Sequence, residues 1–496
     1  TIYSVSESPR DAQTIWAGTD DGNLQLTRDA GKTWNNVVSN VPDLPKASWV
    51  SWVEASRHDP ATAYAAFDRH TFGDMTPHVY KTIDYGKTWA SIVTPESGVR
   101  GFAHVIKEDS VSPNLLFLGT EFGLWISLDG GNQWAQYRGH DFPQVPVRDI
   151  VVHPRDSDLV IATHGRGIWI IDDITPLRKL TPEVMNQEAS FLTGRPPQQR
   201  LNANGGWAEG SAMFNGPNPP DAAVITYYQK KRHIFGKMKI EILDAQGKVV
   251  DTLPANNRRG ISRVDWPMRL KAPHVPPAAT AAFEASQGPR VLPGTYTVKM
   301  TRGKDSFTTQ LNVVLDPRAK FSAEDRRAEF DAAMRVYNLL GDMSYDVDRL
   351  NSVRDALVER AARAKNDKVL SARLTETAQK LDELRRKIVA TKEGGAVTGE
   401  ERIREKTTEL YGNILNFEGR PGDYQVARID SLKKELDDVR SESEALLAKE
   451  LPSVNKLLKQ KRLQPIELLS RSAWDAANSD SGASTPPATA SRWERD

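Results

Sequence analysis

The residues of this chain best placed to do chemistry follow short, β-rich runs within positions 1–175. They are two carboxylates, Asp68 and Glu121, and a histidine with an arginine, His164 and Arg166. Each stands in the turn after the second strand of a predicted four-strand unit, so equivalent positions would bring them to one face of neighbouring sheets. A glycosidase requires two carboxylates roughly 5–10 Å apart, and Asp68 and Glu121 are the candidates for that pair.

Further polar residues stand in the same turns, namely Asp20, Asp21 and His70, and Arg148 is a further candidate without an assigned role. The other interpretation is that all of these side chains cap strand ends or line a water-filled channel, and the sequence favours it. No His/Asp/Glu group has the spacing of a metal site, and no Gly-rich segment has that of a phosphate loop. The sequence therefore predicts neither a metal nor a cofactor. Calcium in an acidic turn is left open, without a motif that signals it.

Composition excludes several classes of protein. The 496 residues include 66 Lys and Arg against 65 Asp and Glu, a formal net charge of +1. No field of the whole chain therefore attracts nucleic acid or an anionic membrane. No apolar run is long enough to cross a bilayer. The chain has no cysteine, which excludes disulfides, thiolate metal sites and a cysteine nucleophile.

An octet of residues recurs three times among positions 1–175 and reads TRDAGKTW, TIDYGKTW and SLDGGNQW. A Pro-containing turn and a short β-rich run precede each copy, and a fourth such run, HPRDSDLVIAT, has no octet after it. Four short strands per unit, with turns between them, are typical of β-propeller blades. The constant residues of the octets are Asp29, Gly31, Trp34, Asp84, Gly86, Trp89, Asp129, Gly131 and Trp134.

These constant residues have a structural explanation. The glycines permit a tight hairpin between the third and fourth strands. The aspartates can accept hydrogen bonds from turn amides, and the tryptophans begin the outer strand and pack between sheets. The alternative makes the aspartates catalytic or calcium-binding. The structural interpretation is favoured because the same set repeats three times, whereas an active site occurs once.

The octets resemble the Asp-box, or BNR, repeats of sialidases, sortilin-type receptors and propeller glycosidases. Positions 1 to about 315 resemble large bacterial proteins that are labelled BNR-repeat glycosyl hydrolases or sortilin-like. This resemblance implies a β-propeller with its Asp boxes on the blade periphery, away from the central pocket. It also implies the C-terminal half of such a protein, located in the periplasm, on the bacterial cell surface or outside the cell. The arginine triad, Tyr/Glu pair and Asp of sialidases cannot be assembled from these residues.

Three complete units and a partial fourth cannot close a propeller ring, which needs at least about four blades. An open set of blades leaves a strand edge unpaired and an apolar face exposed. We therefore expect the missing blades to come from the N-terminal portion of the same precursor, as a second chain or a missing segment. Other proteins or a glycan are further expected partners, whereas nucleic acid is not.

The predicted architecture has several domains, mainly β and then α. Positions 1–175 are predicted to form the C-terminal blades of a β-propeller, and 176–220 a linker rich in Gly, Pro and Asn. Alternating strands over 221–316, about seven in number, predict an immunoglobulin-like β-sandwich. That region resembles the FlgD-type Ig-like modules of secreted bacterial proteins.

The C-terminal region has helical spacing. Long helices with short loops over 317–475 predict an antiparallel helical bundle, and 476–496 reads as a low-complexity tail. Pro452 is expected to end or kink the last long helix. A heptad seam in that helix is formed by Ile429, Leu432, Leu436 and Val439.

The expected function is binding and scaffolding of a larger assembly by a non-catalytic extracytoplasmic propeller, with the helices as a docking element. The alternative is a glycoside hydrolase that acts on polysaccharide through carboxylates in the propeller channel. Two carboxylates facing one groove, with aromatic platforms for sugars, would favour the hydrolase. The absence of a complete catalytic set favours the binding protein.

Overall fold

The structure is a computed structural model that describes residues 1–139, 141–201, 218–394 and 399–478. The chain divides into two compact units. Unit 1 comprises residues 1–195, 225–234 and 257–263. Unit 2 comprises residues 196–224, 235–256 and 264–496.

Unit 1 begins with four antiparallel sheets whose strands follow one another in chain order. Sheet 1 contains β1 (Ile2–Ser8), β2 (Asp11–Thr19), β3 (Leu24–Thr27) and β4 (Asn35–Asn36). Sheet 2 contains β5 (Trp49–Ala55), β6 (Ala63–Arg69), β7 (Asp74–Thr82) and β8 (Ala90–Ser91). Sheet 3 contains β9 (Ala103–Glu108), β10 (Leu116–Thr120), β11 (Gly123–Ser127) and β12 (Ala135–Gln136). Sheet 4 contains β13 (Val147–Val152), β14 (Leu159–Thr163) and β15 (Ile168–Ile171).

The strand order confirms the predicted four-strand unit. Sheets 1 to 3 each have four strands, and sheet 4, which corresponds to the run without an octet, has three. Alternation along each strand gives the sheet two different faces. In β15, for example, Trp169 and Ile171 are half-buried, whereas Ile168 and Ile170 are exposed.

Consecutive sheets pack face to face through apolar cores. The core between sheets 1 and 2 contains Trp16, Leu24, Val50 and Phe67. The core between sheets 2 and 3 contains Tyr64, Val79, Ile106 and Leu118. The core between sheets 3 and 4 contains Val105, Phe117, Ile150 and Ile161. Burial of these large side chains supplies the main driving force for stacking the sheets.

Glycine permits a close approach between sheets at two places. A Cβ atom on Gly18 would lie 2.3 Å from Val50 Cγ1 in the next sheet. A Cβ atom on Gly119 would lie 2.6 Å from the carbonyl oxygen of Val147 in β13. Because a backbone atom cannot rotate away, any larger residue at position 119 would push sheets 3 and 4 apart.

The first and fourth sheets expose apolar side chains on their outer faces. In sheet 4, Val151 and Ile170 lie on the face opposite to the core residue Ile161 and are 49% and 58% exposed. In sheet 1, Val5 lies on the face opposite to Trp16 and is 61% exposed. These exposed faces agree with the expectation for an open set of blades.

Two further sheets follow. Sheet 5 has the order β16-β18-β21, with β16 (Ala189–Phe191), β18 (Ala223–Gln229) and β21 (Gly260–Trp266). Sheet 6 has the order β17-β23-β22-β19-β20, with β17 (Gln198–Gln199), β19 (Met238–Leu243), β20 (Val249–Pro254), β22 (Gly294–Arg302) and β23 (Asp305–Leu315). Strands β18 to β23 coincide with the alternating runs of the sequence.

The region after sheet 4 differs from the sequence expectation in two ways. Strands β16 and β17 lie inside 176–220, where a linker is predicted, and their lengths of three and two residues are too short to give an alternating pattern. Strand β17 pairs in parallel with β23, so sheet 6 is mixed. The segment 221–316, predicted as one sandwich, contributes to both units.

Short helices connect the sheets. Helix α1 (Thr175–Lys179) and helix α2 (Pro182–Asn186) follow sheet 4. The hydroxyl of Thr181 accepts a hydrogen bond from the N–H of Val184, and Pro182 supplies the fixed φ of a first helical residue, so α2 begins there. Single 3₁₀ turns span Val38–Asn40, His70–Phe72, Pro95–Ser97 and Phe283–Ala285.

Unit 2 contains the long helices. They are α3 (Ala323–Arg363), α4 (Lys368–Ile388), α5 (Ile403–Leu415), α6 (Asp423–Gln460) and α7 (Arg471–Asn478). A capping box starts α3, in which Ser322 accepts from the N–H of Asp325 and the Asp325 carboxylate accepts from the N–H of Ser322. Helices α3 to α6 share one apolar core, which includes Leu340, Leu374, Tyr411 and Leu436.

Helix α6 tests two expectations. The four predicted seam residues, Ile429, Leu432, Leu436 and Val439, are all buried, which confirms the seam. The helix continues through Pro452 to Gln460, so the proline does not end it. Its neighbours Leu451 and Val454 are buried in the helical core, and this packing offsets the hydrogen bond that proline cannot make.

The Pro- and Ala-rich stretch before β22 lies against the helices of unit 2. The N–H of Ala279 donates to the carbonyl oxygen of Ala390 (3.1 Å). Thr280 donates through its hydroxyl to Glu405 (2.8 Å), and the hydroxyl of Tyr411 donates to the carbonyl oxygen of Gln287 (2.9 Å).

Within the described ranges, none of the helices combines the length and apolar character that crossing a bilayer requires.

Candidate functional site

The octet aspartates bind the backbone of their own turns. In the first octet, Asp29 accepts from the N–H of Thr33 (2.9 Å) and from its hydroxyl (2.7 Å). The hydroxyl of Thr27 donates to Asp29 (2.8 Å) and accepts from the N–H of Gly31 (2.9 Å). These bonds to the charged form, those from Thr33 above all, lower the pKa of Asp29 to about 2.

The second and third octets repeat this arrangement. Asp84 accepts from the N–H (2.9 Å) and hydroxyl (2.7 Å) of Thr88, which lower the pKa of Asp84. Asp129 accepts from the N–H of Gln133 (2.9 Å) and has no hydroxyl at that position to bind. The octet carboxylates therefore satisfy turn donors, as the structural interpretation requires.

Each later octet also contacts the preceding sheet. The ring of Trp89 meets the edge of Trp16 in sheet 1, with centroids 5.8 Å apart. The indole N–H of Trp134 donates to the carbonyl oxygen of Ile92, which follows sheet 2 (2.8 Å). Trp34 of the first octet is 43% exposed. The octet tryptophan thus fills the gap between one sheet and the sheet before it.

A polar cluster lies at one end of sheets 2, 3 and 4. Asp68 lies near the C-terminal end of β6, and His70 is the first residue of the 3₁₀ turn that follows. His104 lies in β9, Glu121 in the turn between β10 and β11, and Arg148 in β13. We refer to these five residues as the polar cluster. Of the predicted candidates, Asp68, His70, Glu121 and Arg148 belong to it.

His104 is the centre of this cluster. Its Nε2 lies 2.9 Å from a carboxylate oxygen of Glu121, and its Nδ1 lies 3.2 Å from a guanidinium nitrogen of Arg148. Arginine only donates, so Nδ1 must accept, and the imidazole proton therefore lies on Nε2 and points to Glu121. Burial lowers the pKa of His104 despite the opposing effect of the Glu121 hydrogen bond, which keeps the ring neutral.

Aromatic contacts join the two halves of the cluster. The ring of His70 stacks on Phe102 at a centroid distance of 4.7 Å, and Phe102 meets His104 edge to face at 4.7 Å. The Asp68 carboxylate accepts from the N–H of His70 and lies 2.8 Å from the imidazole Nδ1 of that residue. The carboxylate of Asp68 is only 6% exposed.

The cluster exposes the guanidinium of Arg148 and the imidazole of His70 to solvent and keeps its carboxylates engaged. Arg148 and His70 have side chains that are 46% and 41% exposed. Glu121, at 27% exposure, is bonded to His104 and lies 3.8 Å from a second guanidinium nitrogen of Arg148. Both carboxylates of the cluster therefore have hydrogen-bonded partners within the protein.

The other predicted candidates make contacts of their own. The N–H of His164 donates to the carbonyl oxygen of Pro146 (2.9 Å), and the side chains of His164 and Arg166 are exposed. Asp20 pairs with the amino group of Thr1. His104 could not be predicted from the sequence, because a histidine inside an alternating strand gives no signal of its own.

A second group of polar side chains lies at the C-terminal ends of β5 and β9, away from the polar cluster. Its members bind one another and have a structural role. Buried Glu108 accepts from the hydroxyl of Ser56 (2.7 Å), the N–H of Arg57 (2.7 Å) and the hydroxyl of Tyr64 (3.0 Å). Glu54 pairs with Lys107 at 2.9 Å, and burial raises the pKa of Glu54. Among residues that the structure describes, no three His, Asp or Glu side chains come together as metal ligands.

Comparison with known proteins gives limited similarity. The sequence matches no protein-family model and no curated protein. YCF48 bound to a D1 peptide is similar at 18% identity and a TM-score of 0.27, over 35% of this chain and 50% of that one. The GH74 xyloglucanase from Xanthomonas campestris is similar at 15% identity and a TM-score of 0.28, over 67% and 47%. The GH74 enzyme of Niastella koreensis is similar at 11% identity and a TM-score of 0.28, over 63% and 46%.

This chain thus spans about half the length of each of these three proteins. TM-scores below 0.3 do not establish a common overall fold. The four antiparallel sheets and the polar cluster stand on the geometry of this chain alone.

Proposed function

We propose that this chain is a non-catalytic, extracytoplasmic Asp-box propeller protein that binds a partner and scaffolds a larger assembly. The engagement of both candidate carboxylates supports this proposal. Asp68 is buried and bonded to His70, and Glu121 is bonded to His104 and faces Arg148. An enzyme that hydrolyses glycosides needs one carboxyl group held protonated beside a second that is free to attack or to activate water.

The binding surface that we propose is the polar cluster. Arg148 presents guanidinium donors to solvent, and the half-exposed ring of His70 lies at the same end of neighbouring sheets, with Phe102 packed between the cluster histidines. Donors on a rigid sheet scaffold suit a ligand rich in acceptors, such as peptide carbonyl and carboxylate groups or glycan hydroxyls.

The partner that we propose for the outer faces of sheets 1 and 4 is a further set of blades. The two faces expose Val5, Val151 and Ile170. Within the chain, the tryptophans of the second and third octets contact the preceding sheet, as Trp89 does at Trp16. By the same rule, exposed Trp34 would pack on a blade from the N-terminal portion of the precursor, and a further blade would cover sheet 4.

The remaining regions fit supporting roles in the same proposal. In this proposal, residues 221–316 form the FlgD-type immunoglobulin-like module and residues 317–475 form the antiparallel bundle that docks the assembly. The predicted boundaries at residues 175, 220, 316 and 475 are part of this proposal. The location outside the cytoplasm is supported by the Asp-box resemblance.

A turnover assay tests the proposal against the glycoside hydrolase alternative. The chain is incubated with a panel of defined polysaccharides, and reducing ends are measured for the natural sequence, for Glu121→Gln and for the control Glu96→Gln. Glu96 is an exposed glutamate outside the cluster. We expect no turnover in any of the three. Turnover that Glu121→Gln abolishes and Glu96→Gln preserves would establish the hydrolase instead.

A binding assay completes the test. The same polysaccharides and a peptide array are titrated against the chain, and Arg148→Gln is compared with Arg155→Gln, an exposed arginine in the turn between β13 and β14. We expect Arg148→Gln to weaken the tightest interaction roughly tenfold or more, as loss of a charge-assisted hydrogen bond does. Equal affinities for the two variants would remove the polar cluster from the proposal.

A further inference from the structure

A basic loop with an apolar tip joins β18 to β19. Residues 230–237 read KKRHIFGK and include no acidic residue. At the tip, Ile234 is 70% exposed and Phe235 is 83% exposed. Two adjacent large apolar side chains so far into solvent are unfavourable unless something covers them.

Additional positive charge lies beside this loop in unit 1. The N–H of His233 donates to the carbonyl oxygen of Asn257 (2.9 Å), so the segment that carries Arg259 runs next to the loop. Lys231, Arg232 and Arg259 are all exposed. In the described part of the chain, no ion pair holds these three cations.

The charge is local, because the whole chain has a formal net charge of only +1. Lys230 contributes less, since its amino group lies 3.3 Å from the carbonyl oxygen of Asn186. The excess is therefore concentrated in three unpaired cations around an apolar tip. This combination of an apolar tip and flanking cations is what a protein surface needs to bind at a lipid–water interface.

We propose that this loop docks the protein on a bilayer surface that contains anionic phospholipid. Ile234 and Phe235 enter the boundary between headgroups and acyl chains, while Lys231, Arg232 and Arg259 contact lipid phosphates. The apolar tip removes its surface from water, and the cations are attracted by the negative surface potential.

The composition and small size of the tip argue against two other binding partners, nucleic acid and protein. Single-stranded nucleic acid is held by aromatic faces on which bases stack, and this tip pairs one phenylalanine with an aliphatic residue. A stable protein interface buries about 800 Å² per partner, far more than two side chains supply. A lipid interface needs no shaped partner surface, so a small tip is sufficient.

Vesicle co-sedimentation of the full chain tests the proposal. The vesicles contain equimolar phosphatidylglycerol and phosphatidylcholine in one arm and phosphatidylcholine alone in the other. We expect binding only in the first arm. The double variant Lys231→Gln/Arg232→Gln should lower the partition coefficient about 30-fold, since each cation contributes about fivefold. The double variant Ile234→Ser/Phe235→Ser, which keeps every charge, should lower it at least about tenfold.

The matched control removes the same charge elsewhere. Lys32→Gln/Lys87→Gln changes two exposed lysines of the octets and should bind as the natural sequence does. All variants alter exposed side chains, and thermal melting verifies that they fold. Failure of the natural sequence to bind the anionic vesicles would overturn the proposal. So would unchanged binding of the tip variant combined with full competition by a single-stranded oligonucleotide, which would indicate a general polyanion site.

Discussion

The octet turns and the polar cluster of unit 1 use the same carboxylate chemistry over very different distances. Asp29 and Asp84 bind donors within four residues of themselves. Glu121 binds His104, 17 residues away, and His104 binds Arg148, 44 residues away. The octet is complete within one turn, whereas the cluster exists only when sheets 2, 3 and 4 are stacked. Local and long-range parts of the same sheets should therefore respond differently to mutation and to pH.

The largest effect should come from the contact that stacks the sheets. Gly119→Ala places a Cβ atom 2.6 Å from the backbone oxygen of Val147, which cannot rotate away. We expect it to lower the free energy of unfolding by about 3 kcal/mol, measured by urea denaturation followed by tryptophan fluorescence. It should also weaken the contact between His104 and Arg148.

The control for Gly119→Ala is Gly341→Ala in helix α3. A Cβ atom at position 341 meets nothing within 4 Å. The same chemical change should there raise the free energy of unfolding by about 0.5–1 kcal/mol, because alanine favours the helix. Equal effects at the two positions would contradict the close approach of sheets 3 and 4.

A smaller effect is expected from a single octet. Asp84→Ala leaves the N–H and hydroxyl of Thr88 without their acceptor, and we expect a loss of about 1–2 kcal/mol. Asp129→Ala should cost less, because Gln133 supplies only its N–H. Urea denaturation of the two variants measures the difference.

A substitution that increases stability gives a second test of the octet contacts. Gln133→Thr restores the hydroxyl that the first two octets have, and should raise the free energy of unfolding by about 0.5 kcal/mol. It should do so only while Asp129 is present, so the gain should vanish in the Asp129→Ala background. A loss of stability from Gln133→Thr would show that the third turn differs from the other two.

The smallest expected effect is a difference between His104 and the octet carboxylates in the pH at which each changes the free energy of unfolding. Burial lowers the pKa of His104 from its ordinary value near 6.5, so the unfolded chain binds a proton there more readily than the folded chain. Stability should therefore fall as the pH drops below 6.5. The octet carboxylates respond at lower pH, because Asp29, with its pKa of about 2 against 3.8, retains its contribution until the pH falls through that range.

A variant that removes only the His104 imidazole tests this pH dependence. His104→Gln should flatten the decline of stability between pH 7 and pH 5 relative to the natural sequence. Urea denaturation at a series of pH values measures both. An unchanged slope in His104→Gln would mean that folding leaves the pKa of His104 unchanged, which would contradict the effect of burial.

Much of the β-region could be predicted because its signals are local. The octets mark the turn between the third and fourth strands of each unit, and the runs before them mark the first two. The seam from Ile429 to Val439 likewise follows from a spacing along one helix. By contrast, β16 and β17 escaped prediction because strands of two or three residues carry no pattern and form only against a longer partner.

The candidate site could be predicted only in part. Turn positions pointed to Asp68 and Glu121, and the structure brings both into the polar cluster. His104 was not found, because its significance lies in Arg148 of the next sheet and Glu121 of the next turn. His164 and Arg166 share the turn position but not the contacts, so equivalent places in a repeat do not ensure a common site.

The sequence by itself determined the repeated units, their turns and the helices, because hydrogen bonds within a few residues and the spacing of apolar side chains fix these. Tertiary structure alone decided which carboxylates are engaged, that the helix runs on past Pro452, and that the Pro- and Ala-rich stretch lies on α5. Those outcomes depend on residues far apart in the chain. The free energy that decides them comes from burial and pairing, which arise only when the sheets and helices meet.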